Sequence, residues 1–216
     1  MDSTLNVSEI FFSIQGESTC AGLPSIFIRL AGCNLSCSWC DTEYARESGE
    51  GKELTLDEIM SEIGKFPCRL VEVTGGEPLQ QEGSVKLLEK LLASGYEVLL
   101  ETNGAIDLRP VNREVRKIID IKCPSSGHEN SFLMENLDTI TEKDEVKFVI
   151  ADRNDYDFAK GSVEKHLKGK RSPILFSPVS PDMNPQELAR WILRDGLTVR
   201  LQLQLHRLIW GEARGV

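Results

Sequence analysis

The sequence predicts an α/β fold in which a mostly parallel sheet carries helices on its outside. Three observations support this prediction. Strand-like apolar runs alternate with helix patterns almost throughout the chain, several of these runs end in polar or glycine-rich loops, and no repeat or low-complexity tract interrupts the order. The pattern provides about six to seven strands, too few for a closed eight-strand barrel. We therefore expect residues 1–216 to form a single domain, an incomplete barrel of about six parallel strands with outer helices.

The individual elements follow from hydrophobic periodicity and from helix start signals. Strands are predicted over 7–15, 25–30, the run ending at Thr74, 96–101, 115–121, 145–150 and 198–205, and residues 173–176 form a short apolar run. Helices are predicted over 55–66, 84–93 and 154–167, and a further helix begins after Asn184. Thr55 and Glu58 form a capping box, and Asn184 precedes a proline suited to the first helical position. The polar, glycine-bearing segment 43–52 is predicted to be an exposed loop.

Composition excludes several classes of function. The chain has a net charge of −9, with 40% hydrophobic and 27% charged residues, which is typical of a globular protein and argues against a nucleic-acid-binding surface. No apolar segment approaches the length of a membrane span, and the first residues lack the features of a signal peptide. We therefore expect a cytoplasmic protein with no membrane partner. In that compartment the six cysteines favour metal or redox use over disulfides.

Three of those cysteines, Cys33, Cys37 and Cys40, lie in one loop directly after the predicted strand 25–30. Thiolates are soft ligands that select zinc, copper(I) or iron–sulfur clusters. Structural zinc sites usually take four protein ligands, often as two pairs, and no second pair is present here. A cubane cluster held by three cysteines keeps one iron open for a substrate or cofactor. The remaining alternatives are a zinc site completed by a distant residue, or cysteines that merely share a loop.

Several further motifs follow the ends of predicted strands. The turn 74–78, with two glycines followed by Glu77 and Pro78, comes after one strand, and segments 102–104 and 122–124 come after two others. Ligands of parallel α/β sheets bind at the carboxyl ends of the strands. We therefore expect these segments and the cysteine loop to meet at one rim of the barrel.

The cysteine spacing followed by Asp41 and Thr42, together with the Gly-Gly-Glu-Pro turn, resembles the radical S-adenosylmethionine (radical SAM) enzymes. Segments 14–17, 40–42 and 101–104 and the ending Trp-Gly-x-x-Arg-Gly-Val resemble the 7-carboxy-7-deazaguanine synthases, from about residue 7 to the last residue. The resemblance implies a partial TIM-like barrel with a radical SAM core. It also implies conversion of 6-carboxy-5,6,7,8-tetrahydropterin to 7-carboxy-7-deazaguanine with loss of ammonia, a step of queuosine and 7-deazapurine biosynthesis.

The resemblance further implies a 4Fe-4S cluster, S-adenosylmethionine, Mg²⁺, a homodimer and an external one-electron donor of the flavodoxin or ferredoxin type. Cys33, Cys37 and Cys40 would hold the cluster, and Thr42 would bind Mg²⁺. S-adenosylmethionine would contact Trp39, Cys40, Asp41, Gly76, Ile121, Lys122, Cys123, Ser177, Pro178, Val179 and Ser180. The pterin would contact Ile14, Gln15, Gly16, Glu17, Arg29, Thr74 and the terminal carboxylate of Val216. His206 is predicted either to contact the substrate or to cap the sheet.

Two rival functions and one departure from the pattern accompany this prediction. Ser18 stands where the family commonly has a glycine, which affects the expected conformation of that loop. A glycyl-radical-enzyme activase would share the cysteine spacing and the glycine turn, whereas a zinc-stabilised binding module would have no catalysis.

His128 is predicted to be a surface residue, and the sequence indicates no general base.

Overall fold

The structure, a computed structural model, describes residues 3–47, 49, 51–211 and 213–216. Its strands are β1 (Thr4–Ile14), β2 (Pro24–Leu30), β3 (Lys52–Thr55), β4 (Leu70–Gly75), β5 (Glu97–Thr102), β6 (Arg116–Asp120), β7 (Glu145–Ile150), β8 (Ile174–Pro178) and β9 (Arg200–Leu201). Its α-helices are α1 (Leu56–Ile63), α2 (Gly83–Ala93), α3 (Arg153–Ser162), α4 (Pro185–Asp195) and α5 (Leu205–Trp210). All nine strands belong to one sheet, in the order β3-β1-β2-β4-β5-β6-β7-β8-β9.

The sheet is parallel from β2 through β9, whereas β1 pairs antiparallel with both β2 and β3. This confirms the predicted mostly parallel α/β architecture with helical crossovers. Two helix starts are also confirmed. The Thr55 side chain accepts the Glu58 backbone N–H at the start of α1, and Asn184 accepts from Gln186 at the start of α4. These caps satisfy backbone donors that have no partner inside the helix.

The two faces of the strands have different environments. On β2, the side chains of Ile26, Ile28 and Leu30 are fully buried in the apolar layer beneath the helices. The alternate residues Phe27 and Arg29 border a cavity inside the barrel. Because side chains alternate across a strand, the same short sequence provides both the core and the cavity wall.

The loop between β1 and β2 closes the end of the barrel opposite the cysteine loop. Cys20 is buried there against Leu70 and Leu99, which lie near the starts of their strands. The backbone N–H of Thr19 donates to both carboxylate oxygens of the buried Glu145, at 2.9 and 3.1 Å. This anchoring fixes the loop that carries residues 15–17.

Two predicted elements are wrong. The strand predicted over 198–205 is only Arg200–Leu201, and α5 begins at Leu205, because the chain leaves the sheet edge to cross back towards β1. The predicted exposed loop 43–52 contains a 3-10 turn in which Ala45 is fully buried, and its end forms β3 on the sheet edge. Ala45 accepts the Gly32 N–H at 2.8 Å, so the segment packs beside the cysteine loop. Ser48 and Glu50 of that loop lie outside the described residues.

Within the part of the chain that the structure describes, no helix combines the length and the apolar character needed to cross a bilayer.

Candidate active site

One cavity of about 730 Å³ occupies the interior and rim of the barrel. It brings together most residues that the sequence predicted to be functional. These are Ile14, Gln15, Gly16, Glu17, Arg29, Cys33, Cys37, Trp39, Cys40, Asp41, Thr42, Thr74, Gly76, Lys122, Ser177, Pro178, Val179, Ser180, His206 and Val216. The predicted meeting of strand-end loops at one rim is therefore present in the structure.

The cysteine loop is held by the loop that follows β6. The Trp39 indole N–H donates to the Ser125 hydroxyl at 2.8 Å, and the Ser38 hydroxyl donates to the Ser125 carbonyl. The Ser36 backbone N–H donates to the His128 imidazole at 3.0 Å. His128 is partly exposed, as expected for a surface residue, and its ring also supports the loop between two of the cysteines.

The Gly-Gly-Glu-Pro turn packs directly against the start of the cysteine loop. Gly76 N–H donates to the Leu30 carbonyl at 3.1 Å, and Glu77 N–H donates to the Gly32 carbonyl at 2.8 Å. A Cβ on Gly75 would lie 2.1 Å from the Leu30 oxygen, and one on Gly76 would lie 2.1 Å from the Gly32 oxygen. Gly75 also has a φ of +143°, which side chains rarely tolerate. Both glycines are therefore required by close backbone approach.

The Glu77 carboxylate joins this turn to the loop after β5. It is fully buried and accepts the Asn103 N–H at 2.7 Å, the Leu79 N–H at 3.0 Å and the Thr102 hydroxyl at 2.9 Å. The Asn103 amide in turn donates to the Asn34 side chain at 2.9 Å, inside the cysteine loop. Burial raises the pKa of Glu77, although these donors oppose the shift. Three rim segments thus share one hydrogen-bond network.

The floor of the cavity is formed by Gln15, Glu17, Glu72, Glu101 and Lys147, and it contains a buried amide–carboxyl pair. Gln15 donates through Nε2 to Glu72 at 2.5 Å, and its Oε1 accepts the Glu17 backbone N–H at 3.1 Å. These bonds fix the orientation of the Gln15 amide. Burial, and then the nearby Glu101 carboxylate, raise the pKa of Glu72 to about 8. Glu72 is therefore protonated near neutral pH and adds a neutral group to the floor.

Beside that pair, Lys147 forms ion pairs with two carboxylates. Its Nζ lies 3.0 Å from Glu17 Oε2 and contacts Glu101 Oε1, and Asp120 lies 3.7 Å away. Asp120 pairs more closely with Lys122, at 2.8 Å. Burial acts to lower the pKa of Lys147, but these carboxylates outweigh it and raise the pKa well above its ordinary value.

Glu72, Asp120 and Lys147 line the cavity but were not predicted to be site residues, and Glu101 was noted only as part of a family motif. A signal was nevertheless present. Glu72 lies between two valines on β4, and Lys147 lies between Val146 and Phe148 on β7. Strands covered on both faces are normally continuous apolar runs, and charged residues are almost never fully buried unless paired. A lone charge inside such a run therefore indicates a polar cavity.

The part of the chain that follows β9, called the C-terminal segment below, closes the side of the barrel between β9 and β1. Leu205 N–H donates to the Gly16 carbonyl at 2.9 Å, and a Cβ on Gly16 would lie 2.0 Å from the His206 ring. Gln204 Nε2 donates to Glu17 Oε1 at 2.8 Å and to Asp41 Oδ2 at 3.1 Å. His206 lines the cavity and packs against the β1–β2 loop, and the choice between substrate contact and capping of the sheet stays a prediction.

The last residues lie across the cavity near Arg29. Glu9 accepts from Arg29 Nε at 2.8 Å and from the Tyr44 hydroxyl at 2.7 Å. The guanidinium carbon of Arg214 lies 3.9 Å from the centre of the Tyr44 ring, a cation–π contact. Val216 also borders the cavity. A Cβ on Gly215 would lie 3.9 Å from a carboxylate oxygen of Glu9, so the last residues lie near the acceptor of the Arg29 ion pair.

Comparison with known proteins identifies the family. The model of the radical SAM superfamily matches residues 27–192. A 7-carboxy-7-deazaguanine synthase of Koribacter versatilis is 47% identical over 228 residues, covering 98% of this chain and all of that protein. The chain belongs to this family of radical SAM enzymes. A 7-carboxy-7-deazaguanine synthase of Chlorobaculum tepidum is 48% identical over 220 residues, covering 100% of this chain and 99% of that protein.

The family fold is also found among solved structures. The crystal structure of QueE from Escherichia coli has a TM-score of 0.78 at 24% identity and covers 94% of this chain and 95% of that one. Together with the family match, this likeness confirms the predicted partial TIM-like barrel. The curated relatives likewise favour a 7-carboxy-7-deazaguanine synthase over the activase and zinc-module alternatives.

The three cysteines fit the 4Fe-4S cluster that radical SAM enzymes use. All three border one cavity, and burial raises the pKa of the Cys33 and Cys37 thiols. Metal binding would therefore have to displace protons from these thiols. Among the described residues, no three acidic, cysteine or histidine side chains converge on one metal-ion position. A cubane cluster does not require such convergence, because each bound iron takes one thiolate. Cys33, Cys37 and Cys40 would hold the cluster.

Two further groups of this synthase family have matching surroundings. Thr42 borders the cavity, and its hydroxyl lies 3.4 Å from a carboxylate oxygen of Asp41. Oxygen ligands of this kind suit Mg²⁺, which usually keeps several waters. Trp39, Asp41 and Gly76 border the cavity beside the cysteines, where S-adenosylmethionine would bind. Ile121 and Cys123 pack instead into the apolar layer outside the barrel, so only their backbone remains available for the predicted cofactor contacts.

Proposed function

We propose that this chain converts 6-carboxy-5,6,7,8-tetrahydropterin into 7-carboxy-7-deazaguanine and ammonia, within queuosine and 7-deazapurine biosynthesis. The observation that carries the proposal is a single cavity with three thiols at its rim and hydrogen-bonding carboxyl groups on its floor. A radical generated at the rim would thus be confined beside a substrate bound below. We further infer that the chain works as one domain, since one sheet includes strands from Thr4 to Leu201.

The floor suits the pyrimidine edge of a pterin. That edge carries N–H donors beside a carbonyl acceptor, so it requires acceptors and a donor in fixed positions. Glu17 and Glu101 supply carboxylate oxygens, and Gln15 supplies an amide whose orientation is set by Glu72. Buried polar groups of this kind discriminate strongly against ligands that leave them unpaired.

Arg29 suits the carboxylate of the substrate. Glu9 takes its Nε–H, and the rest of the guanidinium borders the cavity, where planar bidentate pairing with a carboxylate is favourable. Burial acts to lower the pKa of Arg29, but the neighbouring Tyr44 and Glu9 outweigh it and raise that pKa. The guanidinium is therefore charged at any working pH.

When bound, the reduced cluster and S-adenosylmethionine supply the radical chemistry that removes hydrogen from the substrate. The chain orients the substrate through its floor and excludes water through the C-terminal segment. Thr42, with Mg²⁺, would place positive charge near the substrate carboxylate.

A radical SAM enzyme needs a reductant, and we propose a flavodoxin or ferredoxin-type protein as the one-electron donor. We also propose a homodimer, supported by large apolar side chains that α5 exposes, namely Leu208, Ile209 and Trp210. A cytoplasmic location is supported by the six free cysteines, three of which must stay reduced to hold a cluster. Sedimentation of the reconstituted protein at several concentrations tests the dimer, and a monomer throughout would contradict it.

The function is tested by anaerobic turnover. Reconstituted protein is incubated with dithionite, S-adenosylmethionine, Mg²⁺ and the carboxytetrahydropterin, and products are separated by chromatography and mass spectrometry. The expected result is 7-carboxy-7-deazaguanine with one equivalent of ammonia, and none of either from the Cys37→Ala variant. Cleavage of S-adenosylmethionine without any deazaguanine would contradict the proposed substrate while leaving the radical chemistry intact.

A further inference from the structure

Lys147 occupies a position that no predicted role explains. Its side chain is 6% exposed and lies on the cavity floor, below the rim that carries the cysteines. The Nζ contacts one oxygen of Glu17, which lies in the β1–β2 loop, and one oxygen of Glu101, which lies on β5. The second oxygen of Glu17 accepts from Gln204 at 2.8 Å, and that of Glu101 accepts from the Thr74 hydroxyl at 3.3 Å.

We propose that Lys147 is a positioning residue that holds the Glu17 and Glu101 carboxylates at a fixed separation, as a paired acceptor for the donor edge of the substrate. This inference rests on the proposed function and deepens it. Each carboxylate is held at both oxygens, by Lys147 on one side and by a neutral donor on the other. A carboxylate oxygen accepts more than one hydrogen bond, so lone pairs remain for a ligand.

The other charges around the floor show why a cation is needed at this point. Glu101 faces Lys147, Asp41 and Lys122, and Glu72 is its close neighbour. Lys122 is already paired with Asp120 at 2.8 Å. Lys147 is the cation that the structure places in contact with both Glu17 and Glu101. Burial opposes ionisation of Glu101, but Lys147 outweighs it and lowers the pKa of that carboxyl.

Removal of Lys147 would leave two neighbouring carboxylates in a buried site without their cation. Like charges at close range cannot both stay ionised, so one would take up a proton or turn away. Substrate affinity would then fall, and the acid limb of kcat/KM would move to higher pH, since the remaining carboxyl would ionise with a raised pKa. Cluster assembly at the rim would not be affected.

A matched control is present in the same sheet. Lys117 forms an even more deeply buried ion pair with Asp144, 3.1 Å away, on the side of β6 that does not border the cavity. Lys117→Met removes a buried lysine from its carboxylate partner without touching the floor. It is expected to lower the melting temperature and leave KM and the pH profile unchanged.

The test uses the reconstituted holoenzyme with Lys147→Met, Lys147→Arg and Lys147→Ala, the last with and without added propylamine. We expect the Met variant to raise KM for the pterin at least tenfold, with iron content and affinity for S-adenosylmethionine as in the wild type. The acid limb of kcat/KM should shift upward by about one pH unit. The Arg variant should recover part of the affinity, and propylamine should rescue the Ala variant in a saturable manner.

An unchanged pterin KM and pH profile in the Met variant, with a wild type that turns over the pterin, would overturn the inference alone. Equal losses of iron, S-adenosylmethionine affinity and melting temperature in the Met and Arg variants, without amine rescue, would also overturn it by showing a merely structural role. A wild type that does not turn over the pterin would overturn the proposed function together with this inference.

Discussion

Replacement of Glu77 by Gln tests whether one carboxylate joins the rim loops. Glu77 Oε1 accepts the Leu79 N–H and Oε2 accepts the Asn103 N–H, with the Thr102 hydroxyl between them. Either orientation of a Gln amide would turn its NH₂ group towards a backbone donor. Loss of a hydrogen bond to a charged group, with a buried donor left unpaired, costs about 2–3 kcal/mol. The relief of burying a charge offsets part of this cost, so we expect a net loss of about 2 kcal/mol.

Thermal unfolding of the apo protein measures this loss. For a domain of this size, about 2 kcal/mol corresponds to a fall in melting temperature of about 4–8 °C. Glu82→Gln is the matched control, because Glu82 is exposed at the start of α2 and undergoes the same change of charge. It should change the melting temperature far less, because an exposed charge at a helix N-terminus contributes only about 0.3–1 kcal/mol. A Glu77→Gln variant that melts at the same temperature as the wild type, and takes up iron equally well, would show that Glu77 does not join the rim loops.

Three further predictions concern the turn, the floor and the tail. Gly76→Ala would place a Cβ 2.1 Å from the Gly32 carbonyl oxygen, so it should lower the free energy of unfolding by about 1–3 kcal/mol and reduce iron uptake. The control Gly161→Ala in α3 has open space around its Cβ and should be neutral or slightly stabilising. Equal unfolding midpoints of the two variants in urea would contradict this expectation. Glu72 has a folded-state pKa raised to about 8, so its contribution to stability is full below its unfolded pKa and is lost as pH rises through about 8. Between the unfolded-state pKa of Glu72 and pH of about 8, the Glu72→Gln variant should therefore gain stability relative to the wild type as pH rises, by at most about 1.4 kcal/mol per pH unit. A difference in unfolding free energy that does not depend on pH would be inconsistent with this expectation. Arg214→Ala should remove the contact with Tyr44 and raise KM for the pterin severalfold with little change in melting temperature, and an unaltered KM in steady-state assays would show that the tail is not held by this contact.

The rim could be predicted from the sequence because its motifs follow strand ends. The cysteine loop comes after β2 and the glycine turn after β4, and the carboxyl ends of parallel strands must lie on the same side of a sheet. Hydrophobic patterns placed those strands within a few residues. The location of Cys33 and Gly76 on one cavity therefore depended on topology, which local sequence already indicated.

The floor could not be predicted in the same way. The lone charges at Glu72 and Lys147 indicate a polar cavity, but which face of β4 or β7 points inward depends on register and on the helices outside, so the partners of these two side chains are settled only by tertiary structure. The C-terminal segment was mispredicted for a related reason. Leu201 and Leu203 have a strand-like pattern, but the sheet ends there and Leu205 instead bonds to the Gly16 carbonyl. Tertiary contacts there outweigh the local preference for a strand.

Cys33, Cys37 and Cys40, which line the same cavity as the charged floor, would hold a 4Fe-4S cluster with one iron left open for S-adenosylmethionine. Electron paramagnetic resonance of the dithionite-reduced protein, recorded before and after addition of S-adenosylmethionine, is the decisive measurement for this assignment. We expect a cluster signal that changes on addition of S-adenosylmethionine and is lost in Cys37→Ala. A signal that S-adenosylmethionine leaves unchanged, or one that survives unaltered in Cys37→Ala, would contradict it.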